Sequence, residues 1–209
     1  MWFSMKRRQA FSTKTIEYLK EHTRILFIDD EPDLVIASAV EKEGWHVRKI
    51  SDLEIVNDTN LKDSHIVCFD INGIGKKLGV KDGMGLVKIV KREYPWKKII
   101  LYSSKSQQNT FDDAVGMADK RLPKDGQIYP FLMAIEELSR DLFEWNSMIV
   151  SVYKMLKHDL PNDISIDEFQ SKMKKIVFKR KADIDFIVKI LSTSQTAAKI
   201  ILFVVGLFA

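Results

Sequence analysis

The sequence predicts an α/β protein: a doubly wound, five-stranded parallel sheet with helices on both faces, followed by a small all-helical module. Three observations carry this. Short apolar runs stop abruptly in polar chemistry: Arg24-Ile25-Leu26-Phe27-Ile28 in Asp29-Asp30-Glu31-Pro32, His65-Ile66-Val67-Cys68-Phe69 in Asp70, and Ile99-Ile100-Leu101-Tyr102 in Ser103-Ser104. Such runs read as buried parallel strands whose C-terminal ends deliver polar groups to a crevice. Amphipathic helical segments alternate with them, which places helices on both faces of one sheet. From Tyr129-Pro130 onward the pattern is helical alone.

Residues 9–22 read as a short helix ahead of the strand at 24–28. After Pro32, the positions Leu34, Ile36 and Val40, closed by Gly44, describe one amphipathic helix. Residues 45–50 alternate as a half-buried strand, and Asp52 to Leu61 is predicted as a poorer helix before the strand that ends at Asp70. A Gly- and Lys-rich loop over 73–83 precedes a helix carrying Leu86, Ile89 and Val90. A strand at 98–103, a helix near 108–117 and a strand at 120–123, followed by Lys124, complete the alternation.

Beyond it, Ile135, Leu138, Leu142, Trp145, Ile149, Val152 and Leu156 recur at alternating steps of three and four, a heptad seam. As one continuous helix this segment would be on the order of 40 Å long and would project past the sheet. Pro161 ends it; helices at 166–178 and 183–191 and the apolar terminus follow. The predicted division is a helical extension at 1–22, a sheet domain at 23–140 and a helical module at 141–209. Water does not tolerate a bare stripe of this size, so it is covered either by the later helices or by a second copy, in a homodimer through helix 135–156.

The chain has 209 residues, 45% of them hydrophobic, and a formal net charge of +4. That is enough apolar surface for a core. Both signs of charge are abundant and no helix-turn-helix signature is present, so nucleic acid is not the expected partner despite the lysine cluster at 172–181. Cys68 is the single cysteine, which excludes an internal disulfide and fits a cytoplasmic protein. On a strand it reads as a small core residue. The basic N-terminus runs into Gln9 rather than an apolar stretch, unlike a signal peptide. The apolar terminus at 200–209 is about half of what a membrane-crossing helix needs. A buried terminal helix is the expectation, with insertion into a lipid interface beside Lys199 as the alternative.

Strand ends in an open parallel sheet converge, so Asp29, Asp30 and Asp70 are expected side by side. Three carboxylates in a partly desolvated crevice raise one another's pKa unless a cation joins them. Mg2+, which takes hard oxygen ligands and keeps several waters, suits such a set. Singly, each residue has a plainer reading: Asp29 and Asp30 as helix caps, Asp70 as a turn residue, Lys124 as a solvated side chain.

The ordered set of acid pair, single Asp, hydroxyl and Lys, each after an apolar run, resembles the receiver domain of two-component response regulators over roughly residues 24–140. The resemblance implies the flavodoxin-like receiver fold and a role in phosphorelay signalling. It implies Asp70 as phosphoacceptor, and Asp30, Asp70 and the Asn72 backbone carbonyl as Mg2+ ligands, with Asp29 acting mainly through water. Lys124 and Ser103 would meet the phosphoryl group. The partner would be a histidine kinase or phosphotransfer protein, the output would run through the C-terminal helices, and the protein would be no enzyme beyond self-catalysed phosphorylation and dephosphorylation of Asp70. Three features depart from the family. The Asp82-Gly83 pair comes late, as though the loop after Asp70 were lengthened, and Lys76, Lys77 and Lys81 there read as a solvated, mobile segment. Pro123-Lys124-Asp125 replaces the usual Lys-Pro. Arg121 stands where a switch aromatic is common. Two rivals remain: a non-phosphorylated receiver-like interaction module, and a haloacid-dehalogenase-like phosphohydrolase, which Asn72 disfavours because that family needs an acid there.

Overall fold

The computed structural model describes residues 13–80, 82–103, 116–124, 127–178 and 183–207. The helix expected near 108–117, the start of the one expected at 9–22, Ser104, Lys81 and part of the lysine cluster at 172–181 lie wholly or partly outside these. Residues 15–139 form one compact unit, and residues from 140 onward form a second that also takes in Lys14.

In the first unit, helix α1 (Ile16–His22) leads into β1 (Arg24–Ile28), α2 (Val35–Lys42), β2 (His46–Ile50), α3 (Thr59–Asp63), β3 (Ile66–Asp70), α4 (Gly83–Glu93), β4 (Lys98–Ser103) and β5 (Lys120–Pro123). All pairings are parallel and the strand order is β2-β1-β3-β4-β5. The chain therefore winds outward from β1 in both directions, and the crevice at the carboxyl ends of β1 and β3 is the topological switch point. Strand alternation splits the core into two layers. Leu26, Ile28, Val67, Phe69, Ile99 and Leu101 pack with Leu61, Leu86, Val87 and Val90 on one face. Ile25, Phe27, Cys68, Ile100 and Tyr102 hold the alternate positions and are buried too. Cys68 is core, as expected, and burial pushes its thiol pKa up.

Two helices differ from expectation. The segment predicted as a helix from Asp52 to Leu61 is mostly irregular, and α3 has only the five residues after its cap Asp58. Asp52 is committed elsewhere, accepting the N–H groups of Leu53 (2.8 Å), Gly75 (2.7 Å) and Lys77 (3.2 Å). It thereby ties down the loop after β3, which contains a short 3-10 turn (Lys76–Leu78). Lys76 and Lys77 are exposed as expected, yet the loop is not loose: the Lys77 ammonium pairs with Glu54 at 2.5 Å.

The second correction concerns the heptad segment, which is two helices rather than one: α5 (Ile128–Phe143), whose first part belongs to the first unit, and α6 (Trp145–Leu156). Glu144 separates them with extended dihedrals (φ −93°, ψ 123°). Phe143 and Trp145 are both buried. On one continuous helix they would project roughly 200° apart, and the break at Glu144 changes the direction in which Trp145 projects relative to Phe143. In the second unit α7 (Ile166–Phe178), α8 (Ile184–Leu191) and α9 (Gln195–Gly206) follow. Tyr153 of α6 donates to the Ile164 carbonyl (2.8 Å) and its ring lies 5.5 Å from that of Phe169. Trp145, Ile149 and Val152 are thus buried within a single chain, and a second copy would have to pair elsewhere than on this seam. Among the described residues no single helix is long and apolar enough to cross a membrane; α8 and α9 pass on length and composition only as a pair, bent by 109°. Ala197, Ala198, Ile201 and Val204 of α9 are buried.

Lys97, just before β4, is 1% exposed. Its ammonium donates to the carbonyls of Lys62 (3.1 Å) and Ser64 at the end of α3 and lies 5.2 Å from the Tyr94 ring centroid. Burial lowers its pKa to about 8, against the opposing pull of Asp63.

Two outcomes are expected. Trp145→Glu should unfold the C-terminal unit and cause aggregation, seen as a lowered melting temperature and rising light scattering, because it places a charge in an apolar interior. An unfolded lysine titrates at 10.5, so between pH 8 and 10.5 the unfolded chain holds a proton that folded Lys97 has released. Stability contributed by this site should rise with pH across that window, and Lys97→Met should remove the rise in urea unfolding.

Candidate functional site

The carboxyl end of β1 continues in register for one residue, as the Asp29 N–H donates to the Ile50 carbonyl at 3.0 Å. That pairing turns the Asp29 side chain inward, where it is 0% exposed, while Asp30 is exposed. Asp29 Oδ1 accepts the Glu31 N–H (2.8 Å), and Oδ2 accepts the Tyr102 hydroxyl (2.7 Å). Across β3, Asp70 Oδ1 accepts the Asn72 N–H at 3.2 Å. Carboxylate oxygens of Asp29, Asp30 and Asp70 lie within 4.8 Å of one another, so the sequence-predicted acids do converge.

Lys124 enters from the end of β5. Its N–H donates to the Ser103 carbonyl (2.6 Å), so the Pro-Lys order still carries it over the crevice. Its ammonium lies 2.7 Å from Asp70 Oδ2, 3.0 Å from Asp29 Oδ2 and 3.2 Å from Glu31 Oε2. Burial works against that charge, but the hydrogen bonds to Asp70 and Asp29 outweigh it and hold the lysine pKa above its usual range. For Asp70 the balance runs the other way. Burial raises its pKa, and the Lys124 and Asn72 hydrogen bonds only partly offset this.

Two glycines let the backbone close on the site. At Gly73, with φ +78°, a Cβ would fall 2.2 Å from Asp30 Oδ2, and at Gly83 one would fall 1.9 Å from the Asp70 carbonyl oxygen. Asp82 caps α4 by accepting the Gly85 N–H (3.1 Å), so the late Asp-Gly pair starts the helix at the end of the lengthened loop. Ser103 is buried at the end of β4, Asn72 is exposed beside Asp70, and Arg121 is exposed on β5. Sequence reading missed Glu31 and Tyr102 as members of the site. Tyr102 had a signal: strand alternation gives it the parity of Ile100 and, through its register with Asp70, places a hydroxyl among the acids.

The donor set is one of hard oxygens, partly buried, and among the described residues it brings one ammonium together with the carboxylates of Asp29, Asp30, Glu31 and Asp70. That chemistry fits a divalent cation such as Mg2+, for which Asp30, Asp70 and the Asn72 carbonyl are the candidate ligands.

No family model matches the chain. It is 32% identical over 82 residues to the nitrogen assimilation regulatory protein NtrX of Azorhizobium caulinodans, an alignment covering 38% of this chain and 17% of that protein. Among solved structures it is similar to the receiver domain of NtrX from Brucella abortus, at 22% identity and a TM-score of 0.46 over 55% of this chain and 97% of that one. It is also similar to a chain in the complex of the histidine kinase ThkA with the response regulator protein TrrA, at 21% identity and a TM-score of 0.44 over 56% and 97%. Residues 15–139 have the 2-1-3-4-5 strand order of a flavodoxin-like, doubly wound parallel sheet.

In this unit Lys124 is the counter-ion for two buried carboxylates. Lys124→Met should therefore destabilise the metal-free protein by about 3 kcal/mol at neutral pH. The deficit should shrink as pH falls and Asp70, whose pKa burial already raises, takes up a proton, which urea denaturation at neutral and mildly acidic pH would show.

Proposed function

We propose that this protein accepts a phosphoryl group on Asp70 from the phosphohistidine of a histidine kinase or phosphotransfer protein, with Mg2+ as cofactor. The observation that supports this reading is the meeting of Asp70 with Asp29, Asp30 and the Lys124 ammonium at one end of the sheet. In the transfer, an Asp70 carboxylate oxygen forms a bond to phosphorus as the phosphorus–nitrogen bond of the donor breaks. The imidazole nitrogen keeps the electron pair. Such a step needs alignment and charge neutralisation more than covalent help from the protein. When bound, Mg2+ supplies part of that neutralisation and orients the phosphoryl oxygens.

The residues then have separate tasks. Asp30, Asp70 and the Asn72 carbonyl would hold the cation, with the Asp29 carboxylate beside them adding negative charge. Lys124 leaves its contact with Asp70 Oδ2 to meet a phosphoryl oxygen, and the Ser103 hydroxyl donates to another. The added charge of about −2 pulls on β4 and β5, next to α5, which runs on toward the C-terminal helices. That continuity supports an output through those helices.

Acetyl phosphate with Mg2+ should give a phosphoryl adduct in the intact mass spectrum of the wild type and none with Asp70→Asn. Lys124→Ala should keep the adduct while blunting any change in the C-terminal unit. No adduct from acetyl phosphate or from a cognate kinase would establish the non-phosphorylated interaction module instead. Turnover of a generic phosphomonoester would point to the hydrolase.

A further inference from the structure

Tyr102 is an unusual group to find beneath a cluster of acids. Its side chain is fully buried, and its hydroxyl donates to Asp29 Oδ2 at 2.7 Å. The ring is held edge-on by Phe27 (6.1 Å between centroids) and by Phe131 (5.7 Å), the latter in the first turns of α5. With both flanks packed, the hydroxyl has no other direction in which to turn.

Asp29 itself is 0% exposed, so its carboxylate has no water to fall back on and must be served by protein donors. Lys124 serves it now but also contacts Asp70 and Glu31. Any process that draws the ammonium toward Asp70 leaves Asp29 with the Glu31 N–H on Oδ1 and the Tyr102 hydroxyl on Oδ2. Tyr102 is a fit permanent donor because a phenol keeps its proton at neutral pH.

We propose that Tyr102 is a positioning residue of the cation site, fixing the Asp29 carboxylate so that it faces Asp30 and Asp70 after Lys124 moves away. This rests on the reading of the three carboxylates as a divalent-cation site. The contact is charge-assisted and geometrically unique, so its loss is felt in cation affinity rather than in packing, since Phe fills the same ring volume.

The test is calorimetric titration of the full chain with Mg2+, on wild type, Tyr102→Phe, Asp29→Asn and the double variant, each checked by near-UV circular dichroism. Tyr102→Phe should bind Mg2+ about tenfold more weakly than wild type, and should cause no further loss in the Asp29→Asn background. Unchanged affinity, or an equal loss in both backgrounds, overturns the proposal while leaving the cation site intact. A wild type that takes up no Mg2+ overturns the cation reading and this proposal with it. Where a variant fails to fold or Asp29→Asn abolishes binding, 3-fluorotyrosine incorporated at Tyr102, with Tyr18, Tyr94, Tyr129 and Tyr153 changed to Phe, decides. Mg2+ should shift its fluorine resonance; a resonance that stays fixed in the Mg2+-binding protein overturns the proposal.

Discussion

One ammonium shared by the acids of a single crevice is the constraint on which the rest depends. Lys124 sits 2.7 Å from Asp70 and 3.0 Å from Asp29. At such separations, with an effective dielectric near 20, each attraction is roughly 5 kcal/mol before desolvation is subtracted. A single nitrogen cannot satisfy three acids equally, so the protein divides the problem. Asp30 stays in water, Asp29 is buried and given backbone and tyrosine donors, and Asp70 is left partly desolvated with its pKa raised. Burial penalises the charge of a carboxylate so placed, and its pKa rises for that reason.

Most of this was legible in the sequence because the signals are local. The strands at 24–28, 98–103 and 120–123 stand where apolar runs meet polar residues, and Asp29, Asp30, Asp70 and Lys124 follow as strand ends of a parallel sheet. What was not legible depends on pairs distant in the chain. Asp52 could not be seen to abandon a helix for Gly75 until the loop after β3 was in place. Tyr102 and Asp29 meet only through strand order and register. The break at Glu144 was hidden for a different reason. Three-and-four spacing is identical on either side of it, and nothing on the seam marks Glu144 as the place where the helix stops.

The loop after β3 is held in place by groups from three other parts of the first unit. Gly73 and Gly83 bring its two ends against Asp30 and the Asp70 carbonyl, while Asp52 anchors its middle. Between these ends the chain makes a short 3-10 turn at Lys76–Leu78, flanked by Gly75 and Gly79 with positive φ.

The two outer strands carry a consequence for how copies of this protein meet. β2 presents His46, Arg48 and Lys49, and β5 presents Lys120, Arg121 and Pro123. Long charged side chains along an edge, and a proline that offers no N–H, disfavour strand-to-strand joining of two sheets. The rims of the sheet are thereby guarded against growth by strand addition.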